Sequence, residues 1–168
     1  MSLQTSVSFD FSEAIAGLPR GNVNRTNDRY AEVAIQSGVL VCQGTDDRQC
    51  KLPTSAAEVA KALGVAPARV VNDSHFPSSN TANTTYQVGD NVGAIPEGAV
   101  WVTVEDAVTA GNSAYVRFAA NSPRTQKGAF RSDGDDPGGG ATAAANNSIK
   151  FLTSTAGAGL ALVSVNLP

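Results

Sequence analysis

The stretch Ala99-Val100-Trp101-Val102-Thr103-Val104-Glu105 decides the fold class. Val100, Val102 and Val104 fall on one side of an extended chain and Trp101, Thr103 and Glu105 on the other, the period-2 pattern of a strand with one packed face. Towards the N-terminus it is preceded by the turn residues Pro96-Glu97-Gly98, by Val92 to Ile95, and by Tyr86-Gln87-Val88 running into Gly89-Asp90. Towards the C-terminus a turn at Ala110-Gly111-Asn112 leads into Ala114-Tyr115-Val116-Arg117-Phe118, which repeats the alternation. Ile149 to Thr153 and Leu160 to Leu167 read as two more strands, joined through Gly157 and Gly159. Ala31 to Ile35 alternates towards Ser37-Gly38, with Val39-Leu40-Val41-Cys42 as its expected hairpin partner.

Short apolar runs separated by Gly, Asn and Asp turns predict an all-β fold, an antiparallel β-sandwich or small barrel that is jelly-roll-like. Alternation assigns Val100, Val102, Val104, Val116, Leu160 and Leu162 to much of the packed face. The last strand runs almost to the C-terminus, so that end is committed to the core. One short helix is expected from Ser55 to Leu63, about three turns long. Ser55 and Glu58 have capping-box spacing, Val59 and Leu63 share a face, and Gly64 is placed for a left-handed stop.

The chain divides into an extended N-terminal arm, residues 1–28, and a β domain, residues 29–168. Val7-Ser8-Phe9-Asp10-Phe11 has the pattern of a strand, whereas Gly17 to Asp28 shows no clear period. With Val7, Phe9, Phe11, Ile15 and Leu18, the arm is too apolar for a solvated tail and too irregular for a core element, so a partner is expected to order it. Trp101, on the outward side of the clearest strand, is the further candidate partner contact. Long loops are expected at residues 72–85 and 131–147.

Composition removes several classes of function. The 168 residues are 16% charged, with 12 Lys and Arg against 15 Asp and Glu, leaving no electropositive footprint for nucleic acid. One histidine and two cysteines cannot build a four-ligand Cys/His zinc site. No run approaches the roughly 18 apolar residues of a membrane helix. Met1 to Asp10 lacks a basic region followed by an apolar core, so no secretory signal is read there and cytoplasmic synthesis is expected. Cys42 and Cys50 are expected to be free, half-buried thiols.

Candidate chemistry is sparse. A nucleophilic mechanism would have to run through His75, beside Asp73, Ser74 and Ser78, but no Gly-x-Ser-x-Gly elbow accompanies it. Asp133, Asp135 and Asp136 lack the remaining ligands of a calcium loop, and Gly138-Gly139-Gly140 lacks the Lys-Ser or Lys-Thr of a phosphate cradle. No catalytic, cofactor-binding or metal-binding residue is therefore assigned.

The order of these phrases carries more than any one of them. Ala14-Ile15-Ala16-Gly17, Ala31-Glu32-Val33, Ile35-Gln36-Ser37-Gly38-Val39 and Gln49-Cys50-Lys51-Leu52-Pro53 come first. They are followed by Tyr86-Gln87-Val88-Gly89-Asp90, Gly98 to Glu105, Gly111 to Arg117, Lys127-Gly128-Ala129-Phe130 and Leu160 to Val165. In that sequence they resemble the tailed-bacteriophage structural cement proteins, which decorate capsids. The resemblance implies a non-enzymatic subunit on the outer surface of an icosahedral head in the virion, made in the host cytoplasm. It implies contacts with the major capsid protein, copies bridging its neighbouring subunits. Repeating modest arm contacts across a symmetric oligomer favours a homotrimer over a dimer, and with the charge balance and apolar runs above neither nucleic acid nor membrane is expected as partner. The stretch from His75 to Thr85 and the Gly-rich loop from Asp133 to Gly140 depart from the family's pattern. The alternative reading is a β-sandwich that binds carbohydrate or another surface ligand, with Trp101, Tyr86 or Tyr115 as the stacking ring.

Overall fold

The computed structural model describes residues 15–21, 23, 26–68, 84–134 and 141–168. The strand around Trp101 is β9 (Glu97–Val104), and a six-stranded sheet is built on it. Its other members are β1 (Pro19–Arg20), β10 (Ser113–Arg117), β11 (Phe130–Arg131), β12 (Ala143–Phe151) and β13 (Gly159–Asn166), in the order β1-β9-β11-β10-β12-β13. Because β13 also pairs with β9 along its whole length, the sheet closes on itself. Closure protects the strand edges that an open sheet would expose.

The closed sheet is filled by Val100, Val102, Val104, Ala114, Val116, Phe130, Ile149, Phe151, Ala161, Val163 and Val165. The predicted packed face is thus right for β9 and β10 but out of phase on β13. Leu160 is 38% exposed, and Leu162, although buried, stands opposite Trp101 on the outer side. Both sides of β13 are apolar, so alternation supplies the period without the phase. The register with β9 decides it, placing Val163 opposite Val100 and Ala161 opposite Val102.

A second sheet has the order β6-β4-β5-β2-β8, made of β2 (Asn27–Ala31), β4 (Leu40–Gln43), β5 (Gln49–Lys51), β6 (Ala62–Val65) and β8 (Asn91–Ala94). Val65 and Ile95 exchange backbone hydrogen bonds of 3.0 and 2.9 Å, which draws its two end strands together. Ala31, Val41, Cys50, Val92 and Ala94 form its core with Ile35 and Tyr86. Those last two come from β3 (Ile35–Gln36) and β7 (Thr85–Tyr86), which pair as a separate two-stranded ribbon. Leu40, Val59, Val65 and Ile95 join the core of the closed sheet instead, so the two sheets pack as one body.

Two local expectations are corrected. The turn at Ser37-Gly38 forms, but its flanks are not a hairpin: β3 pairs with β7, and β4 with β5 and β6. The helix is shorter than three turns, α1 (Ala56–Ala60). The Ser55 hydroxyl accepts the Glu58 N–H at 3.3 Å as predicted. The Glu58 carboxylate, however, reaches the N–H and hydroxyl of Thr54 at 2.6 and 2.8 Å and the Lys51 ammonium at 2.9 Å. Burial works against its charge, but the Thr54 and Lys51 hydrogen bonds hold it below the usual carboxylate range. The helix stops at Lys61 because Ala62 to Val65 pair with β4. Gly64 serves that strand rather than a helix cap, since a Cβ there would lie 2.7 Å from the Ile95 backbone.

The loop expected over residues 131–147 is also shortened, because β12 already begins at Ala143. Its Ala-Ala-Ala-Asn-Asn start carries no β-branched residue and is held by pairing with β10. Asn146 sits where that register shifts, and its side-chain amide donates to the Val59 carbonyl at 2.8 Å, tying α1 to the closed sheet.

Candidate partner-binding face

Ile15, Leu18 and Trp101, three residues singled out in the sequence, are brought to one place. The Gly17 N–H donates to the Trp101 carbonyl at 2.6 Å, and the Trp101 N–H donates to the Leu18 carbonyl at 3.0 Å. Pro19 and Arg20 continue this pairing opposite Val100 and Ala99. The Gly17 carbonyl accepts the Ala68 N–H at 2.8 Å, so this residue bridges to the chain leaving β6. It does so at a φ of +83°, with the Pro67 carbonyl carbon 2.5 Å from where a Cβ would stand, which only glycine accommodates. Residues 17–20 are therefore laid along β9, while Ile15 is 42% exposed. Val7, Phe9 and Phe11 lie outside the described residues.

The outer side of the closed sheet extends this apolar surface beyond what sequence reasoning found. Leu162 stands opposite Trp101 and Leu160 opposite Thr103. The Leu152 N–H donates to the Leu162 carbonyl at 2.7 Å, and Leu152 is 48% exposed. The missed signal was the two-sided apolar character of β13, because a strand with leucines on one side and Ala161, Val163 and Val165 on the other has a second apolar side to cover.

The rings of the alternative reading do not converge. Tyr86 is buried in the core of the second sheet, its hydroxyl donating to the Pro67 carbonyl at 3.1 Å. Tyr115 is on β10, separated from the Trp101 strand by β11, with its ring against Gly134. Among the charged candidates, Asp133 is engaged by Arg131 at 2.6 Å, while His75, Asp135, Asp136 and Gly138 to Gly140 lie outside the described residues.

Cys42 and Cys50 are buried free thiols on neighbouring strands. Cys42 is paired with Lys51, and Cys50 with Gln43, so the two sulfurs face opposite sides of the sheet. A bridge between them would require the sheet to come apart. Burial pushes the Cys42 thiol up to about 12, with Glu58 adding to it, and burial pushes Cys50 up to about 11. Both are protonated at neutral pH, and the thiolate is the reactive form. A disulfide-exchange reagent at pH 8 should thus leave the folded protein unmodified and titrate both thiols after denaturation; rapid reaction of the native protein would contradict this placement.

The sequence matches the structural cement protein family (E217 gp24/Pam3 gp6) over residues 3–166, nearly the whole chain. This chain belongs to that phage structural cement family. Among solved structures, a chain of the capsid of Myoviridae phage XM1 shares the cement protein's fold, with a TM-score of 0.60 at 20% identity, covering 99% of this chain and 98% of that one. Among curated proteins none matches. Family membership makes this a bacteriophage structural protein of the capsid, and the mostly β architecture agrees with it.

Proposed function

We propose that the chain decorates the outer surface of an icosahedral phage head and stabilises contacts between neighbouring major capsid protein subunits. The observation that carries this reading is the match to the cement family across almost the whole chain. The apolar root formed by Ile15, Leu18 and Trp101 supports it. From there residues Val7, Phe9 and Phe11 extend the attachment, and modest contacts gain strength when repeated across a symmetric oligomer. A homotrimer at a three-fold or quasi-three-fold position is favoured over a dimer. No catalysis, nucleic acid or membrane enters this role.

Heads assembled without the chain and then incubated with the purified protein test it. The protein should pellet with expanded heads, add density outside the shell where capsid subunits meet, and raise the temperature at which the heads rupture. Protein that stays in the supernatant, or that binds without touching the capsid subunits, would overturn the reading.

A further inference from the structure

We propose that in the unattached subunit the outer face around Trp101, Leu152 and Leu160 is the docking surface for Val7, Phe9 and Phe11 of the same chain. The face is continuous by register, since Trp101 on β9 meets Leu162 on β13 and Leu162 meets Leu152 beyond β12. Leu162 is itself buried, whereas Leu152 and Leu160 remain 48% and 38% exposed on the face, and Ile15, where the described chain begins, is 42% exposed. Exposed apolar side chains gathered on one face mark a surface that something covers.

The sequence points to the occupant. From Ser6 to Ser12 the order is Ser-Val-Ser-Phe-Asp-Phe-Ser, so Val7, Phe9 and Phe11 alternate with Ser8 and Asp10. An extended chain with this order is apolar along one side and polar along the other. Residues 1–14 join the described chain at Ile15, two residues before Gly17, which is hydrogen-bonded to the Trp101 backbone. Three neighbouring strands present a face about 10 Å across at roughly 4.8 Å per strand. The stretch from Ile15 back to Val7 reaches about 26 Å at up to roughly 3.3 Å per residue.

Both edges of β9 are occupied, by β13 on one side and by residues 17–20 and β11 on the other. The segment therefore lies over the face through its side chains and does not add a strand. The chain's own segment is favoured over a neighbour's because so short a tether gives an effective concentration on the order of millimolar. Attachment to a shell would then exchange one apolar partner of these residues for another, but the docking itself belongs to the isolated protein.

Trp101 is the only tryptophan, so its emission reads the face directly. Deleting residues 2–14 should shift Trp101 emission to longer wavelength and increase its quenching by acrylamide, with the circular dichroism of the β domain unchanged. The double substitution F9S/F11S should do the same, and it serves as the test if the deletion variant does not fold. Emission and quenching equal to those of the full chain in a folded variant would overturn the proposal. A full-chain signal that moves to that of the deletion variant on dilution would also overturn it, by assigning the occupant to a second copy.

Discussion

Ending the chain at Ala158 is expected to abolish folding: the truncated protein should show no cooperative melting transition and should elute as aggregate in gel filtration. The strand lost, β13, is the one that closes the main sheet, pairing with β9 from Gly159 to Asn166 and with β12 at Val163 to Val165. With it go the buried side chains Ala161, Leu162, Val163, Val165 and Leu167. At roughly 1.5–3 kcal/mol for each fully buried Leu or Val, the four larger ones alone contribute about 6–12 kcal/mol. That rivals the roughly 5–15 kcal/mol total stability of an ordinary domain. The backbone groups of β9 and β12 would also lose their partners and present two open edges. A truncated chain that melts cooperatively, with the strand signal of the full protein in circular dichroism, would show that closure of the sheet is dispensable.

The strands most legible in the sequence are those in which β-branched residues alternate with polar ones, and β9 is the clearest. Its inward valines and outward Trp101 both follow from one period. Phase failed on β13 because both of its sides are apolar, and only its register with β9, which sets Ala161 opposite Val102 and Val163 opposite Val100, turns the leucines outward. Pairing was less legible than strand existence. Val39 to Cys42 reads as a strand, but that it meets Ala62 to Val65 is a long-range choice with no local signal, and it overrides the helical pattern of Val59 and Leu63. The candidate face was half legible. Trp101 and Ile15 could be named from the sequence, while Leu160 could not, because its exposure depends on register across three strands.

Two consecutive acidic residues at the end of β9 account for the other large effect. Glu105 reads in the sequence as an outward residue of the strand, yet its carboxylate accepts from Arg117 Nε at 2.9 Å and from Nη2 at 2.7 Å. The Arg117 side chain is fully buried and also donates to the Thr142 hydroxyl at 3.1 Å and the Ala119 carbonyl at 3.2 Å. Next to it, Asp106 accepts from the Ser132 N–H and hydroxyl at 2.9 and 3.1 Å and lies 3.6 Å from buried Arg131. The two arginines come from β10 and β11, which pair through Tyr115 and Arg131, so the carboxylates fasten β9 to both strands.

Burying such charges is costly, and what is gained depends on every partner being present. Arg117→Met leaves the Glu105 carboxylate without its bidentate partner, and removing one member of a buried pair costs about 3–5 kcal/mol. For a chain of this length that corresponds to a melting temperature lower by on the order of 10 °C. Glu105→Leu with Arg117→Met removes both charges and should recover most of the loss, because paired apolar replacements of buried ion pairs are often neutral or stabilising. Urea unfolding followed by Trp101 fluorescence measures all three proteins on one scale. If Arg117→Met alone unfolded within about 1 kcal/mol of the parent, the range of an ordinary surface pair, the pair would be doing no more than a solvated salt bridge does. If the double variant were less stable than the single, the hydrogen bonds to Thr142 and Ala119 would outweigh the carboxylate in holding β10 in place.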